Sequence, residues 1–193
     1  YLILALVPTV LVALLFKFVP PFDAFYEAAE EGAYLGVCFL FTGCILAGSD
    51  LLRRPRSRQR GLHDMRAADA LAIGSMQAVG VLPGVSRSGS TITGALFAGL
   101  DRKAAANFSF LLSIPSIVGG AVLEVPDALR GGAAQIDWLC VAVGMLVAGV
   151  TGYFAIRVML RAIKRRGLWG FAVYTGLLGA AILVDQFFTH RFF

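Results

Sequence analysis

Long apolar runs recur along this chain, and in a hydrocarbon solvent they leave few folds open, because every backbone N–H and C=O must be satisfied within the protein. The runs are Leu2 to Phe18, Gly32 to Leu52, Ala67 to Leu100, Ala104 to Val125, Trp138 to Ile156 and Gly170 to Phe188. Between them lie short segments that hold most of the charge. With 58% hydrophobic and 15% charged residues, and a mean hydropathy of +0.78, an ordinary soluble domain is excluded and an all-α polytopic membrane protein is expected. The net charge of +5 sits in the short loops, where basic residues set topology, so no nucleic-acid partner is read from it.

The loops agree on an orientation. After Lys17 and the Pro20-Pro21 pair, which stops the first span, comes a loop with Asp23, Glu27, Glu30 and Glu31 and no basic residue, expected outside. The second span runs into Arg53, Arg54, Arg56, Arg58, Arg60 and Arg66, the strongest cytoplasmic marker in the chain. Glu124, Asp127, Arg130 and Asp137 form an acidic exit loop after the third span. Arg157, Arg161, Lys164, Arg165 and Arg166 mark the cytoplasmic end of the fourth, with Trp169 as an interfacial anchor. Asp185, His190 and Arg191 close the chain on the outer face. Cys38, Cys44 and Cys140 lie inside apolar runs without metal-ligand spacing and read as small packing residues. His63 and His190 read as solvated loop residues. The first residue is Tyr1 and no basic segment precedes the first span, so the expectation is of a chain that begins inside a longer protein, with no signal peptide.

One run does not fit a simple span. Residues 67–100 are cut by Pro83-Gly84 and a polar cluster into two pieces, each too short to cross a bilayer of about 30 Å as a helix. A broken span and a re-entrant hairpin both satisfy that pattern. Basic residues on both sides, Arg60 and Arg66 before it and Arg102-Lys103 after it, favour the hairpin, with both ends in the cytoplasm. Irregular backbone at that depth is tolerated only where protein or a water-filled cavity covers it, so the turn is expected to line a polar pocket.

That turn, Leu82-Pro83-Gly84-Val85-Ser86-Arg87-Ser88-Gly89-Ser90-Thr91, carries the chemistry. An arginine near a bilayer centre costs about 3 kcal/mol or more, which makes it a site hypothesis by default. Its fork of donors matches phosphate, and Ser86, Ser88 and Thr91 are expected to hydrogen-bond the remaining oxygens. If Thr91 to Leu100 is helical, Ser88, Gly89 and Ser90 lie at a helix N-terminus, where free N–H groups and the dipole favour an anion. Gly84 and Gly89 would let the backbone approach a ligand. The competing reading is a Ser88 or Ser90 N-cap with a snorkelling arginine. Gln77 is a further substrate-binding candidate, with an inter-helix hydrogen bond as its alternative. No carboxylate or histidine stands near the turn in sequence. Asp64, Asp69 and Asp101 fall at the hairpin's cytoplasmic mouths, so the cradle reads as half a site.

The run from Gln77 through Thr91, together with Asn107-Phe108-Ser109-Phe110-Leu111-Leu112-Ser113-Ile114-Pro115 and the apolar-then-basic pattern from Val141 to Arg166, resembles the undecaprenyl-diphosphatase (bacitracin-resistance) family along essentially the whole chain. The resemblance implies a bacterial inner-membrane enzyme that hydrolyses undecaprenyl diphosphate to undecaprenyl phosphate and inorganic phosphate, recycling the lipid carrier of cell-wall synthesis. It implies a fold of inverted repeats, here five transmembrane helices plus one re-entrant helical hairpin in a single domain over residues 1–193, with an active site open to the periplasm. Arg87 matches the family's phosphate-binding arginine, Ser86, Ser88 and Thr91 its hydroxyls, and Gln77 a polar half-helix position. The family's other hairpin, with a Glu-x-x-x-Glu pair and a histidine, is expected before Tyr1. It would supply the nucleophile or base and most ligands of a divalent cation, Mg²⁺ or Ca²⁺, and without it no turnover is expected. Undecaprenyl diphosphate and the bilayer are the expected partners, with a homodimer as a candidate assembly. A lipid-phosphate flippase or anion transporter is the alternative, since broken helices aimed at a midplane ligand also serve transport.

Overall fold

The computed structural model describes residues 1–51, 59–130 and 137–189. Among them the chain is helical, with eight α-helices and no strand. In order these are α1 (Leu2–Phe18), α2 (Pro20–Glu30), α3 (Leu35–Leu51), α4 (Ala67–Val79), α5 (Arg87–Phe97), α6 (Arg102–Arg130), α7 (Trp138–Arg166) and α8 (Trp169–Val184). Three stretches are long and apolar enough to cross a membrane by themselves, Arg102–Val122, Trp138–Ile163 and Trp169–Phe187. The two other expected spans, α1 and α3, have 17 residues each, about 25 Å at 1.5 Å per residue. The all-α membrane class read from the sequence is the one observed.

Several boundaries differ from expectation. The Pro20-Pro21 pair ends α1 but also opens α2, where a loop was expected. Proline lacks only an N–H that is orphaned in a first turn anyway, and its fixed φ suits a helix start. α2 turns away from α1 by 95°, and its Phe22, Phe25 and Tyr26 rings gather on Phe16 of α1 at centroid distances of 6.2, 6.4 and 5.5 Å. α6 runs through Pro115 and Pro126 to Arg130, so the acidic exit segment expected after Val125 begins as helix. Likewise the basic stretch from Arg157 to Arg166 is the last part of α7. Arg53, Arg54, Arg56, Arg58, His190 and Arg191 lie outside the described residues.

The core is built around the short helices α4 and α5, which form an antiparallel hairpin wrapped by α1, α3 and α6. Ile73, Ile92, Ala95, Leu96, Leu100, Ala105 and Leu112 are fully buried there. Glycine sets the spacing at two crossings. A side chain at Gly74 would stand 2.1 Å from the Ala5 carbonyl oxygen of α1, and one at Gly94 would stand 3.0 Å from the Met76 side chain across the hairpin. α3 and α8 form a second close pair, with Gly179 against the Gly36 carbonyl. α7 stands apart along most of its apolar stretch, and it meets the core at its end through Met159, Leu160 and the buried Ile163.

The open ends of the hairpin are tied together at one level, called the floor below. The Arg60 N–H donates to the Gly99 carbonyl at 2.9 Å, and the Asp101 N–H donates to the Arg60 carbonyl at 2.9 Å. The Arg60 guanidinium grips both Asp69 carboxylate oxygens, at 2.8 and 2.9 Å, and the Ala98 carbonyl at 2.7 Å. One arginine thus binds the start of α4 to the end of α5. Burial alone would raise the Asp69 carboxyl, but the Arg60 hydrogen bond, the Arg66 N–H at 2.8 Å and the two nearby guanidinium charges outweigh it and hold it below the usual range. A second pair completes the floor. Asp50 of α3 accepts from Arg102 of α6 at 2.6 Å and from the Leu168 N–H before α8 at 2.6 Å. His63 is exposed at the same end, as expected of a solvated residue.

Candidate active site

α4 stops at Val79 because Gly80 and then Pro83-Gly84 follow. Two tight hydrogen-bonded turns carry the chain over, from the Val81 and Leu82 N–H groups to the Ala78 and Val79 carbonyls. Gly84 sits at φ +83°, a left-handed conformation that side chains disfavour, and a Cβ there would also meet Cys38 and Leu35 of α3 at 2.9 Å. Glycine is therefore required by both conformation and space. Gly80 lets the two arms close, since a Cβ on it would stand 2.9 Å from the Arg87 Cα.

α5 begins a turn earlier than the sequence suggested. Its N-cap is Ser86, whose Oγ accepts from the Gly89 N–H at 3.1 Å, so neither Ser88 nor Ser90 caps it. Arg87, Ser88 and Gly89 are then the first three residues of the helix, where N–H groups lack intrahelical acceptors. Ser86 satisfies the third. The N–H groups of Arg87 and Ser88 remain at the positive end of the helix dipole, beside an exposed Arg87 side chain and half-buried Ser86 and Ser88. Among the described residues Arg87 forms no ion pair or hydrogen bond through its guanidinium. It stands at the mouth of the turn with its donors free, whereas Arg60 and Arg102 at the floor are both engaged.

The turn is held from behind by a residue that the sequence reading did not single out. Thr42 of α3 accepts from the Ser86 N–H at 3.1 Å and donates to the Gly84 carbonyl at 3.4 Å. Its only signal was a hydroxyl inside the apolar run Leu35–Leu51, which also holds Ser49. Ser109 of α6 lies in the run from Asn107 to Pro115 but was not singled out as a site residue.

Four expected site residues are buried in the packing of the hairpin. Thr91 is 1% exposed, and its hydroxyl lies 2.5 Å from that of Ser109 and 3.1 Å from the Arg87 and Ser88 carbonyls. These contacts fasten α5 to α6. Gln77, also 1% exposed, donates through Nε2 to Thr9 of α1 at 3.0 Å and to Ser116 of α6 at 3.1 Å, the inter-helix hydrogen bonding expected as one of its two readings. Ser90 is fully buried, and among the described residues its hydroxyl has no partner. Gly89 is a packing glycine, where a Cβ would come within 3.0 Å of Ser86 Oγ and 3.2 Å of Leu46. What remains at the mouth is Arg87, Ser86, Ser88 and the first N–H groups of α5, on the backbone shape that Gly84 permits. Chemically, such a set offers the donors that a tetrahedral oxyanion accepts from. Among the described residues no carboxylate or imidazole reaches it, and no three His, Cys, Asp or Glu side chains stand together to hold a metal ion. The divalent cation implied by the resemblance therefore finds no ligand set in these residues.

Fold and turn together define a polytopic helical membrane protein with an exposed arginine at the turn of a helical hairpin. Residues 1–181 match the family model described as bacitracin resistance protein BacA, and the chain belongs to that family. It is 42% identical over 182 residues to the undecaprenyl-diphosphatase of Carboxydothermus hydrogenoformans, covering 93% of this chain and 67% of the relative. It is 41% identical over 186 residues to undecaprenyl-diphosphatase 3 of Bacillus cereus, covering 96% and 69%. A third relative, the undecaprenyl-diphosphatase of Halothermothrix orenii, is 36% identical over 183 residues, covering 95% and 68%.

Proposed function

We propose that this protein is an undecaprenyl-diphosphate phosphatase and that the turn between α4 and α5 binds the diphosphate. The observation that carries the reading is the Arg87 guanidinium at the N-terminus of α5, which has no partner among the described residues, whereas Arg60 and Arg102 at the floor are both paired. Water adds to the terminal phosphorus, the bond to the bridging oxygen breaks, and undecaprenyl phosphate and inorganic phosphate leave. Arg87 takes two non-bridging oxygens in its fork, and the N–H groups of Arg87 and Ser88 take a third. The Ser86 hydroxyl accepts from Gly89 through its oxygen and keeps its proton to donate. The N–H groups and the Ser86 hydroxyl are held by the helix and its cap before substrate arrives, so they stabilise charge gathering on the phosphoryl oxygens with little reorganisation, and Arg87 closes on the anion as it binds. Removal of such a donor costs about 100-fold or more in rate.

The names of the relatives support hydrolysis over transport. Placement in the bacterial inner membrane, with the turn as a re-entrant tip facing the periplasm, is part of the proposal. Its support is the charge pattern. The hairpin's tied ends lie with Arg60, Arg66, Arg102 and Lys103, and the tip lies beside Leu35 at the other end of α3. From Asp50 at the floor to Leu35 at the tip, α3 rises roughly 22 Å at 1.5 Å per residue. No step here runs through a metal ion, because the described residues do not form a site for one.

The test is release of inorganic phosphate from undecaprenyl diphosphate by the full-length protein in lipid nanodiscs. Arg87→Ala should lose about 100-fold or more in kcat/KM while the protein stays folded. Turnover by that variant at the wild-type rate overturns the assignment.

A further inference from the structure

Between α1 and α4 runs a groove with a cavity of ≈ 340 Å³, lined by Pro8, Val12 and Phe16 on one side and Ser75, Ala78, Val79 and Leu82 on the other. We propose that it holds the first isoprene units of the prenyl chain, so that α1 and α4 read the lipid while the turn reads the diphosphate. The inference rests on the diphosphatase reading and adds to it a tail subsite.

Three observations place the tail here. First, the groove opens from the turn itself. Leu82 lines its upper end, directly before Pro83-Gly84, and Gly80, one residue past Val79, packs on the Arg87 backbone. A lipid whose phosphate sits at the tip descends from there along α4, past Leu82 and Phe16, then Val79 and Val12, to Ser75 and Pro8. Second, the lining suits hydrocarbon. Its one hydroxyl, Ser75, is turned back onto the Leu71 carbonyl at 2.9 Å and so presents little unmet polarity. Third, the walls are rigid. Gly74 brings α4 onto the α1 backbone below the groove, and Gln77 and Thr9 hydrogen-bond the same two helices behind it. Phe16 is fixed at the upper end by the rings of α2. From Ser75 to Leu82 the groove extends roughly 10 Å along the helix, so it reads the head-proximal end of the tail and leaves the rest to the bilayer.

The molecule supplies its own comparison. A second groove of ≈ 220 Å³ lies between α3 and α8, lined by Leu40, Gly43, Cys44, Ala47, Trp169, Ala172, Val173 and Gly176. It is apolar and open like the first, but no residue of the turn lines it.

The experiment uses the full-length protein in nanodiscs and a prenyl monophosphate carrying a diazirine on its first isoprene units. Label is expected on the α1 and α4 peptides that contain Val12, Phe16, Val79 and Leu82. It should be displaced by excess unlabelled prenyl phosphate and not by dioleoyl phosphatidic acid, and the α3–α8 groove should stay unlabelled. In turnover, Val12→Trp and Val79→Trp should raise KM for the prenyl diphosphate about 10-fold while kcat changes little, and Val173→Trp in the other groove should change neither. Equal labelling of the two grooves, displacement by phosphatidic acid, or an unchanged KM in both tryptophan variants overturns the proposal. Labelling is read without turnover, so it stands or falls separately from the Arg87 assignment. Wild-type activity in Arg87→Ala with intact groove labelling sinks the phosphate site alone, and lost activity in Arg87→Ala with unlocalised label sinks the groove alone.

Discussion

The floor and the tip of the hairpin use the same side chain in opposite ways. At the floor, Arg60 and Arg102 are held by Asp69 and Asp50, and their remaining donors meet backbone carbonyls or lie buried. At the tip, Arg87 has the free N-terminal N–H groups of α5 beside it and no acid among the described residues. A paired arginine is fastening. An arginine held next to unmet donors concentrates positive potential, and only an anion from outside completes it. The difference lies in the neighbours each helix end provides.

The comparison is broken most severely at the tip. Arg87→Ala should lose about 100-fold or more of phosphate release with an unchanged melting temperature, and Arg87→Lys should recover only part, because a point charge does not replace the bidentate fork. Floor substitutions should show the reverse. Asp69→Ala leaves Arg60 without its acid and should cost about 2–3 kcal/mol of stability, read by thermal unfolding in detergent, below the full cost of breaking a buried pair since both side chains keep some solvent. Activity per folded molecule should survive that change.

Acid sharpens the same contrast. The Asp69 carboxyl titrates lower in the folded protein than in the unfolded chain, so its pair stabilises the fold above about pH 4 and that contribution fades as pH falls through the folded value. Unfolding temperature should therefore drop with acid more steeply in the wild type than in Asp69→Ala. Smaller again is the effect behind the tip. Gln77→Leu, which severs the tie among α1, α4 and α6, should cost about 1–2 kcal/mol of stability and raise KM modestly by loosening the groove wall. Thr42→Val removes the two bonds that hold Gly84 and Ser86 and should cost about 1 kcal/mol, with its main effect on kcat/KM.

What the sequence made legible was whatever the bilayer forces on it. Apolar length marked the spans, and the polar island from Ser86 to Ser90 marked the turn. Charge on either side of residues 67–100 favoured a hairpin, and the floor contacts of Arg60 tie its ends side by side. Local patterns misled where one residue type does two things. Pro20-Pro21 both ends α1 and starts α2, and the Thr91 hydroxyl, read only as a ligand to phosphate, also fastens α5 because α6 brings Ser109 against it. Arg60 was read as a topogenic charge only, although its guanidinium also joins Asp69 to the end of α5. Nothing within a nine-residue window reveals a partner that tertiary folding supplies. Thr42 was invisible on the same ground, as one hydroxyl in a run of leucine and phenylalanine.

The hairpin is pinned at its open end and free of covalent ties at its tip, and α5 between them is a rod of 11 residues. It behaves as a ruler and a dial at once, setting both how far Arg87 stands from the floor and which way it faces. Lengthening that rod by one residue would lift the guanidinium by about 1.5 Å and swing it by about 100°, past the N–H groups it works with. Point substitutions in α5 change what the site is made of, but an insertion would change where it is. On this geometry the spacing between Ser86 and Leu100 is as much a part of the turn as the residues within it.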